Sequence, residues 1–363
     1  MAKNVIILGA GASVEFGAPV MSNFLDVARS LFASNATGEH SASFFRVFRA
    51  ISVLQGVHSK AEFDLVNLES IFTAFEMAKT LNRFPGDPNI EIDQLIEDLK
   101  WVIVVTLEKS IRFRCSRGEL KAHSNMDRFM DEIIQSWEVH GVGSTSILTF
   151  NYDLLVDIAV WSASQKHEFE IDYGLTGRSE KKRILPVLKL HGSLNWLQQK
   201  NSPQVVPWGI ADFLAAYRSE FRRLDEEVNL NVGTRISAFS SRCGFTDSEA
   251  VPFIVPPSWN KADSHRSIAK VWERAAVELS EAQSIFIVGY SLPHTDSFFR
   301  QLYALGSFGE QLLQRFWVFD PDSSRQEVFR SMLGPGARTR YQFFNIGFGA
   351  SINKIREALW SKS

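Results

Sequence analysis

Small and polar residues directly follow each short apolar segment that we predict to be a β-strand. In an open parallel sheet the ligand lies beyond the carboxyl ends of the strands, so these residues together define a candidate site. Their glycines, amide, carboxylates, imidazole and hydroxyl groups suit a ligand rich in ribose and phosphate. In chain order they are Gly9, Gly11 and Ser13, then Asn151 and Asp153, then His191, then Gly289 and Ser291, then Asp320, and finally Gly347, Phe348 and Gly349.

The segment around the first glycines gives the clearest single signal. Residues 5–8 are all apolar, as expected of a central strand that is buried on both faces. Gly9 and Gly11 then turn the chain, and residues 12–16 are predicted to begin a helix. Small residues let a backbone approach a pyrophosphate, and the first N–H groups of a helix can bind that anion. A tight strand-to-helix turn without a ligand explains the same glycines, and this alternative stays open.

Each of the other candidate residues also has a purely structural explanation. Asn151 and Asp153 are residue types that commonly cap a following helix. His191 precedes a glycine and can be a core histidine bonded to the backbone, and Asp320 precedes a proline, as turn residues often do. Their joint placement after successive strands favours a functional site over these separate explanations.

The elements that must position these residues follow from the apolar spacing. Residues 22–137 are predicted to be helical, because apolar side chains recur there at helical intervals. Strands follow at 146–150 and 187–190, and from residue 253 onward short apolar strands alternate with helices. This pattern predicts an α/β fold, a doubly wound, Rossmann-like parallel sheet with a large helical insertion after the first strand–helix unit.

We therefore expect two domains. Residues 1–21 and 142–363 form a discontinuous Rossmann-like domain, with a minor insertion over residues 198–250, where the pattern weakens. Residues 22–141 form the helical insertion, which we call the cap.

The composition narrows the class of protein. The chain has 363 residues, and its 45% hydrophobic content is enough for a large core. A formal net charge of -2 argues against a protein that works on nucleic acid or on an anionic membrane. Its two cysteines cannot form a disulfide framework or a four-thiolate zinc site, and no secretion signal or membrane-spanning run is visible. We expect a cytoplasmic protein.

Four short motifs occur in an order that is known from one superfamily. They read GAGAS at 9–13, TFNYD at 149–153, LHG at 190–192 and VGYSL at 288–292. Together they resemble the NAD-handling motifs of the sirtuin superfamily. The helical cap, the PPSWNK segment at 256–261 and the GYSLPHTD form of the last motif look closer to the bacterial sirtuin-like proteins of phage-defence systems than to deacetylases.

The resemblance implies a role for each matched residue. Asn151 would position the nicotinamide ribose and the water, Asp153 would support that pocket, and His191 would be the catalytic histidine. The residues implied for the rest of the dinucleotide are Gly9, Ala10, Gly11, Ala12 and Ser13 at the pyrophosphate, Gly289 and Ser291 at the adenosine phosphate, Asp320 at the adenine ribose and Phe348 near the adenine. NAD is then the substrate, and no metal is called for.

The departures from the deacetylase pattern are equally informative. Deacetylase-type sirtuins carry a Gly-Ile-Pro-Asp-Phe-Arg segment after the glycine loop, whereas residues 17–22 here read Gly-Ala-Pro-Val-Met-Ser. The acid, the aromatic ring and the arginine are missing, so we expect water rather than acetyl-lysine to accept the ribosyl carbon. The expected activity is NAD+ hydrolysis to nicotinamide and ADP-ribose, by an effector that depletes NAD in antiphage defence.

Two other functions stay open. A protein deacylase or ADP-ribosyltransferase uses the same dinucleotide site, and a non-catalytic sensor of NAD or ADP-ribose needs only the binding residues. The presence of both Asn151 and His191 favours catalysis over sensing. Because an unregulated NAD hydrolase would poison its own cell, we expect control by homo-oligomerisation or by a separate ATPase or Argonaute-type partner. We also expect the cap to close over the nicotinamide pocket.

Overall fold

The computed structural model describes residues 3–56, 65, 67–86, 90–117, 119–176, 183–199, 203–240, 250–255, 266–293, 297–306 and 311–360. Its central feature is a seven-stranded sheet in which all neighbouring strands are parallel. From edge to edge the strands are β13 (Tyr341–Phe344), β12 (Arg315–Phe319), β11 (Ser284–Val288), β1 (Asn4–Leu8), β4 (Thr145–Thr149), β6 (Ile184–Lys189) and β5 (Glu170–Asp172). Helices cover both faces, so the predicted α/β, doubly wound fold is confirmed.

Helices separate most of these strands along the chain, with one group in the cap between β1 and β4 and another between β6 and β11. In chain order they are α1 (Phe24–Ala33), α2 (Ser41–Gln55), α3 (Leu68–Thr80), α4 (Ile92–Ser110), α5 (Ser124–His140), α6 (Leu155–His167), α7 (Ile210–Ala216), α8 (Arg218–Phe221), α9 (Ser237–Ser240), α10 (Ala269–Ser280), α11 (Ser297–Gly306), α12 (Arg325–Met332), α13 (Pro335–Arg338) and α14 (Phe348–Trp360).

The central strand β1 contributes to two hydrophobic cores. Side chains alternate across a strand, so Ile6 and Leu8 lie on one face while Val5 and Ile7 lie on the other. Ile6 and Leu8 pack in a core shared with the cap helices, α6 and α14. Val5 and Ile7 pack in a second core with α10, α11 and α12. The cap is therefore continuous with one face of the sheet, and both faces of β1 demand apolar residues.

Two smaller antiparallel sheets lie outside the parallel one. The first contains β10 (Ala250–Ile254), β7 (Gly192–Gln199) and β8 (Val205–Pro207), and the second contains β3 (Glu119–Lys121), β2 (Phe113–Ser116) and β9 (Glu226–Val228). The prediction of a helical run over 22–137 is therefore wrong at β2 and β3. The strand expected from residue 253 pairs antiparallel with β7 instead of joining the parallel sheet. These pairings depend on distant partners, which local apolar spacing does not reveal.

The second small sheet joins the cap to the minor insertion, because β2 belongs to the cap and β9 to the insertion. The Nδ2 of Asn229 adds hydrogen bonds to the carbonyl oxygens of Lys109 and Ile111, at 3.3 and 2.8 Å. The buried carboxylate of Glu108 also accepts hydrogen bonds from Gly233 and Thr234. The two insertions therefore pack against each other.

The sequence predicts that a helix begins at residues 12–16, and the structure shows no α-helix there. Ala10–Ala12 and Val14–Phe16 form two short 3-10 turns, and the first α-helix begins only at Phe24. Gly17 ends the second turn with a φ of 94°, and a Cβ atom there would lie 2.7 Å from the carbonyl oxygen of Ser110. Anion binding at this loop therefore cannot draw on the N-terminus of a full helix.

Candidate functional site

The candidate site lies where the strand order of the parallel sheet changes direction. β1 is flanked by β4 on one side and β11 on the other, and the chain passes from β1 to β4 on one side before it crosses to β11 on the other. Such a switch point leaves a crevice for a ligand at the carboxyl ends of the strands. Three loops meet there: residues 9–13 after β1 (the glycine loop), residues 150–154 after β4 (the Asn151 loop) and residues 289–292 after β11 (the Gly289 loop).

Glycines let the glycine loop and the Gly289 loop touch through their backbones. A Cβ atom on Gly9 would lie 2.4 Å from the Cα of Tyr290, and one on Gly11 would lie 2.8 Å from the Cα of Gly289. Gly289 has a φ of 61°, and a Cβ there would lie 2.3 Å from the nitrogen of Ala12. All three positions need glycine for the contact between the loops, whether or not a ligand binds.

Most backbone N–H groups of the glycine loop are bonded within the protein, which fixes the conformation of the loop. The bonds run from N–H to carbonyl oxygen, from Gly9 to Val288 (3.0 Å), from Gly11 to Gly289 (2.8 Å), from Ala12 to Gly9 (2.9 Å) and from Ser13 to Ala10 (3.0 Å). An anion bound at these four amides would have to share donors that already have acceptors.

Asn151 joins its loop to the glycine loop. Its Nδ2 donates to the carbonyl oxygen of Gly9 at 2.9 Å and to the Oγ of Ser13 at 3.0 Å. Its backbone N–H donates to the Oγ1 of Thr149 at 3.1 Å, and the side chain is nearly buried. Among the described residues these contacts occupy the amide nitrogen. The Oδ1 atom is then the part of the side chain suited to accept a hydrogen bond from a ligand hydroxyl or a water.

Asp153 supports the same junction. Its Oδ2 accepts the hydroxyl of Ser13 at 2.8 Å, and its Oδ1 accepts the N–H of Leu155, the first residue of α6, at 3.1 Å. Burial raises the pKa of this carboxyl above its ordinary value, while the charge of Lys189 and the two hydrogen bonds oppose that rise. One oxygen therefore serves the helix, as the capping alternative proposed, and the other holds Ser13.

His191 follows β6 and reaches the Asn151 loop. Its ring meets that of Phe150 edge-on, with centroids 5.0 Å apart, and its centroid lies 6.3 Å from that of Tyr152. Phe150 and Tyr152 flank Asn151 in the chain, so the structure brings the imidazole and the amide to one loop. Tyr290, which the sequence analysis missed, stacks on Phe150 with centroids 4.2 Å apart and so links this corner to the Gly289 loop.

Asp320 and Ser291 lie at the ends of β12 and β11, on the other side of the glycine loop. Asp320 is buried, and its Oδ1 accepts the N–H of Asp322 at 2.8 Å. Burial raises the pKa of the Asp320 carboxyl, although the hydrogen bond from Asp322 opposes this. Ser291 is half-buried. The roles of both residues toward adenosine stay predictions.

Phe348 is placed in the hydrophobic core. It is the first residue of α14 and is buried, and its ring lies edge-on to those of Phe16 and Phe129, at 5.8 and 5.4 Å between centroids. These are the contacts of a core residue, and the role of Phe348 near the adenine stays a prediction. Next to it, the N–H of Gly349 donates to the Oε2 of Glu15 at 3.2 Å, which ties the start of α14 to the turn after the glycine loop.

A buried ion pair that the sequence analysis missed lies directly behind these loops. Lys189, the last residue of β6, donates to the Oδ2 of Asp157 and to the carbonyl oxygen of Asp153, both at 2.6 Å. The Oδ1 of Asp157 accepts the hydroxyl of Tyr173 at 2.7 Å. A lone charge at the end of an apolar strand, two residues before His191, is the sequence signal that points to it.

A separate groove of about 630 Å³ lies in the cap, between α2 and the beginning of α4. Its main polar feature is a two-point ion pair from Arg46 to the buried Asp98, at 2.5 and 2.7 Å. None of its lining residues belongs to the three loops of the candidate site.

Metal ligands do not cluster in the part of the chain that the structure describes: no three or more His, Cys, Asp or Glu side chains are grouped to hold an ion. Cys115 is buried in β2, and Cys243 lies outside the described residues. Over the same described ranges, no helix combines the length and the apolar character needed to cross a bilayer.

Two parts of the motif pattern fall on residues that the structure does not describe. The PPSWNK segment at 256–261 lies outside the described residues, as do the last three residues, 294–296, of the GYSLPHTD motif.

No protein-family model and no curated protein matches the chain. Solved structures that resemble it include a Sir2 homologue in complex with NAD, at 14% identity and a TM-score of 0.42, with 98% of this chain and 89% of that chain covered. A Sir2 homologue mutant in complex with ADP-ribose has 12% identity and a TM-score of 0.39, covering 98% and 91%. A Sir2 complex with an inhibitor, 2′-O-acetyl-ADP-ribose and a deacetylated peptide has 13% identity and a TM-score of 0.38, covering 98% and 93%. This likeness is distant.

Proposed function

We propose that the protein cleaves the bond between nicotinamide and ribose in NAD+ and transfers the ribosyl carbon to water. The observation that carries this proposal is the junction at the switch point. There, Asn151 bonds to Gly9 and Ser13 while His191 reaches the same loop. These residues belong to the motifs that resemble those of sirtuins, in the same order along the chain.

The proposed reaction needs the substrate held in one orientation, positive charge stabilised at the ribosyl carbon and a placed nucleophile. Nicotinamide leaves as a neutral molecule with the electron pair of the broken bond, so no strong general acid is needed. The Oδ1 of Asn151 orients a ribose hydroxyl or the attacking water, because its Nδ2 is fixed by Gly9 and Ser13. A water oxygen then bonds to the ribosyl carbon and its proton passes to His191. The products are nicotinamide, ADP-ribose and one proton.

In this proposal Asp153 and Ser13 do not contact the substrate but hold Asn151 in position. Both carboxylate oxygens of Asp153 are engaged by the protein, so the residue fixes Ser13 instead of contacting the substrate. Ser13 in turn positions the amide of Asn151.

A second candidate is a non-catalytic sensor that binds NAD or ADP-ribose. One observation favours it, since the polar contacts of Asn151 and Asp153 are internal and would also serve to shape a binding crevice. The experiment below separates the two functions.

For the biological role, we propose an effector that depletes NAD in the cytoplasm during antiphage defence. Homo-oligomerisation or a separate ATPase or Argonaute-type partner would restrain it. In this proposal residues 1–21 and 142–363 act as the dinucleotide domain and residues 22–141 as a cap over the nicotinamide pocket. The continuous core between the cap and one face of β1 is the feature that supports a coupling between them.

The test is nicotinamide release from NAD+ by the full chain, measured beside Asn151→Ala and His191→Ala. We expect each substitution to lower the rate by two orders of magnitude or more, because each removes a group that orients or deprotonates the reactants. Calorimetry with NAD+ and ADP-ribose measures binding in the same samples.

Matched controls exist elsewhere in the chain. Asn229 also bridges two backbone oxygens through its Nδ2, and His40 is a half-buried histidine that stacks on Trp101 in the cap. We expect Asn229→Ala and His40→Ala to change thermal stability but not the rate per folded molecule. The sensor would be favoured if the wild type binds NAD tightly but releases no nicotinamide, at any protein concentration and with every candidate partner. Equal rates in wild type and both site variants would exclude the assigned roles.

A further inference from the structure

Lys189 places a charge where the sheet needs none. It ends β6, its side chain is 1% exposed, and its partner Asp157 on α6 is 0% exposed. A buried ion pair rarely stabilises a fold more than apolar residues of similar size, because both charges lose their hydration. Stability alone therefore gives little reason for a lysine at this position.

The ammonium group bridges the two segments that carry the candidate catalytic residues. Its own strand leads directly into His191, and its second hydrogen bond goes to the carbonyl oxygen of Asp153, in the Asn151 loop. Backbone hydrogen bonds join the same segments on either side, from Leu190 to Thr149 at 2.9 Å and from Leu194 to Tyr152 at 3.1 Å. Lys189 adds to this seam a charged side-chain contact, made at the backbone of Asp153.

The ion pair also acts on the charge of Asp153 from two sides. The groups that act on this carboxyl are the Ser13 hydroxyl from the glycine loop, the Leu155 N–H and Asp157 from α6, and Lys189 from β6. Lys189 lowers the pKa of Asp153 and Asp157 raises it, against a background of burial that raises it. The ionised carboxylate accepts these two hydrogen bonds more strongly than the protonated acid does, so the lysine favours the form that holds Ser13 best.

We propose that Lys189 is a positioning residue, which holds the Asn151 loop against the strand that carries His191 and maintains Asp153 as the acceptor of the Ser13 hydroxyl. Asp157 is its counter-ion, and Tyr173 fixes Asp157 in turn. This proposal rests on the proposed function for its effect on turnover, but its effect on Asp153 does not depend on turnover.

The experiment compares Lys189→Met with Asp157→Asn in the full chain. Both variants break the same ion pair, but they remove opposite charges from the surroundings of Asp153. The ionisation of Asp153 is followed by the carbon-13 signal of its carboxyl group during a pH titration, and that signal is assigned by its loss in Asp153→Asn. Nicotinamide release is measured on the same samples.

We expect Lys189→Met to raise the titration midpoint of Asp153 by about one pH unit or more, and Asp157→Asn to lower it. Lys189→Met should lower kcat for nicotinamide release by more than about tenfold at pH values below the new midpoint, with a smaller change in KM. The double variant Lys189→Met/Asp157→Leu removes both charges, and its midpoint should return close to that of the wild type. If Lys189→Met does not fold, the double variant and Asp157→Asn still give the comparison.

Lys3→Met is the matched control, since Lys3 pairs with the buried Glu278 beyond the amino end of β1, away from the candidate site. It should lower stability without moving the Asp153 midpoint. A purely structural role predicts lost stability in both test variants with an unchanged midpoint, and that result would overturn the proposal. If the wild type releases no nicotinamide, that result would count against NAD cleavage. The pH titration of Asp153 would still decide the role of Lys189.

Discussion

Buried ionisable side chains join distant segments of this chain at two places, and their charges are compensated in different ways. Behind the candidate site, Lys189 and Asp157 form a pair of opposite charges that connects β6 to α6. Between the two insertions, Glu108 connects α4 to the turn after β9 through neutral donors alone. Its Oε1 accepts the N–H groups of Gly233 and Thr234 at 2.5 and 3.2 Å, and its Oε2 accepts the Thr234 hydroxyl at 2.8 Å.

The comparison shows that neutral hydrogen-bond donors do not stabilise a buried carboxylate as fully as an opposite charge does. Burial raises the pKa of Glu108 to about 7, and the hydrogen bonds from Thr234 and Gly233 only partly oppose this. Hydrogen bonds from uncharged groups stabilise a carboxylate less than an opposite charge does. The junction between the insertions is therefore sensitive to pH in the neutral range, whereas the seam behind the site contains its own counter-ion.

The largest expected effect comes from leaving one charge of the buried pair alone. Lys189→Met should lower the free energy of unfolding by about 3–5 kcal/mol at pH 7, because Asp157 stays buried without its partner. Lys189→Met/Asp157→Leu should recover most of that loss. Denaturant unfolding of both variants and the wild type measures the effect. A double variant as unstable as the single one would show that packing, not charge, dominates this seam.

A smaller effect is expected at the Glu108 junction, and it depends on pH. The folded-state pKa of Glu108 lies above its ordinary value, so its stabilising contribution is complete below pH 4.5 and is lost as the pH rises through about 7. Glu108→Gln does not titrate, so its stability relative to the wild type should increase by up to about 3 kcal/mol between pH 4.5 and pH 9.

Unfolding curves of the wild type and of Glu108→Gln across this range measure that change. Two stability profiles that stay parallel with pH would contradict the assignment of the titration to Glu108. Lys109→Met is a second test variant, because the charge of Lys109 lowers the pKa of Glu108 and its removal should shift the change in stability to higher pH.

The smallest expected effect concerns one donor to the same carboxylate. Thr234→Val removes the hydroxyl that bonds to Oε2 of Glu108 and should cost about 1 kcal/mol near pH 8, where the carboxylate is charged. The cost should shrink near pH 5, where the carboxyl is protonated. Ser240→Ala, which removes a hydroxyl bonded to the local carbonyl oxygen of Ser237, serves as the reference. An equal cost at both pH values would exclude the proposed dependence on charge.

Much of the fold was predictable, because apolar runs mark strands that are covered on both faces. Residues 5–8 and 146–150 identified β1 and β4 closely, and the meeting of their loops followed from the rule for parallel sheets. The short strands β2 and β3 were missed, since each is stabilised by pairing within a small sheet whose third strand, β9, is far along the chain.

The same holds for the candidate site: features that depend on neighbouring residues were predictable, and contacts between distant segments were not. Asn151 and Asp153 were predicted as site residues because they follow a strand, and the structure places both at the switch point. The contact between Lys189 and Asp157 depends on how α6 packs back on β6, and no spacing rule predicts it. The glycine pattern was recognised but explained incompletely, because Gly9 and Gly11 approach Gly289, which no local analysis could place beside them.

The central position of β1 in the sheet determines how late in synthesis the candidate site can be completed. β1 precedes both of its neighbours along the chain, and one of them, β11, is translated only after the cap, β4 and β6. Until residue 289 has been added, the glycine loop lacks the backbone on which Gly9 and Gly11 rest. A partly synthesised chain therefore has no finished crevice, and translation itself delays the appearance of any activity that the crevice provides.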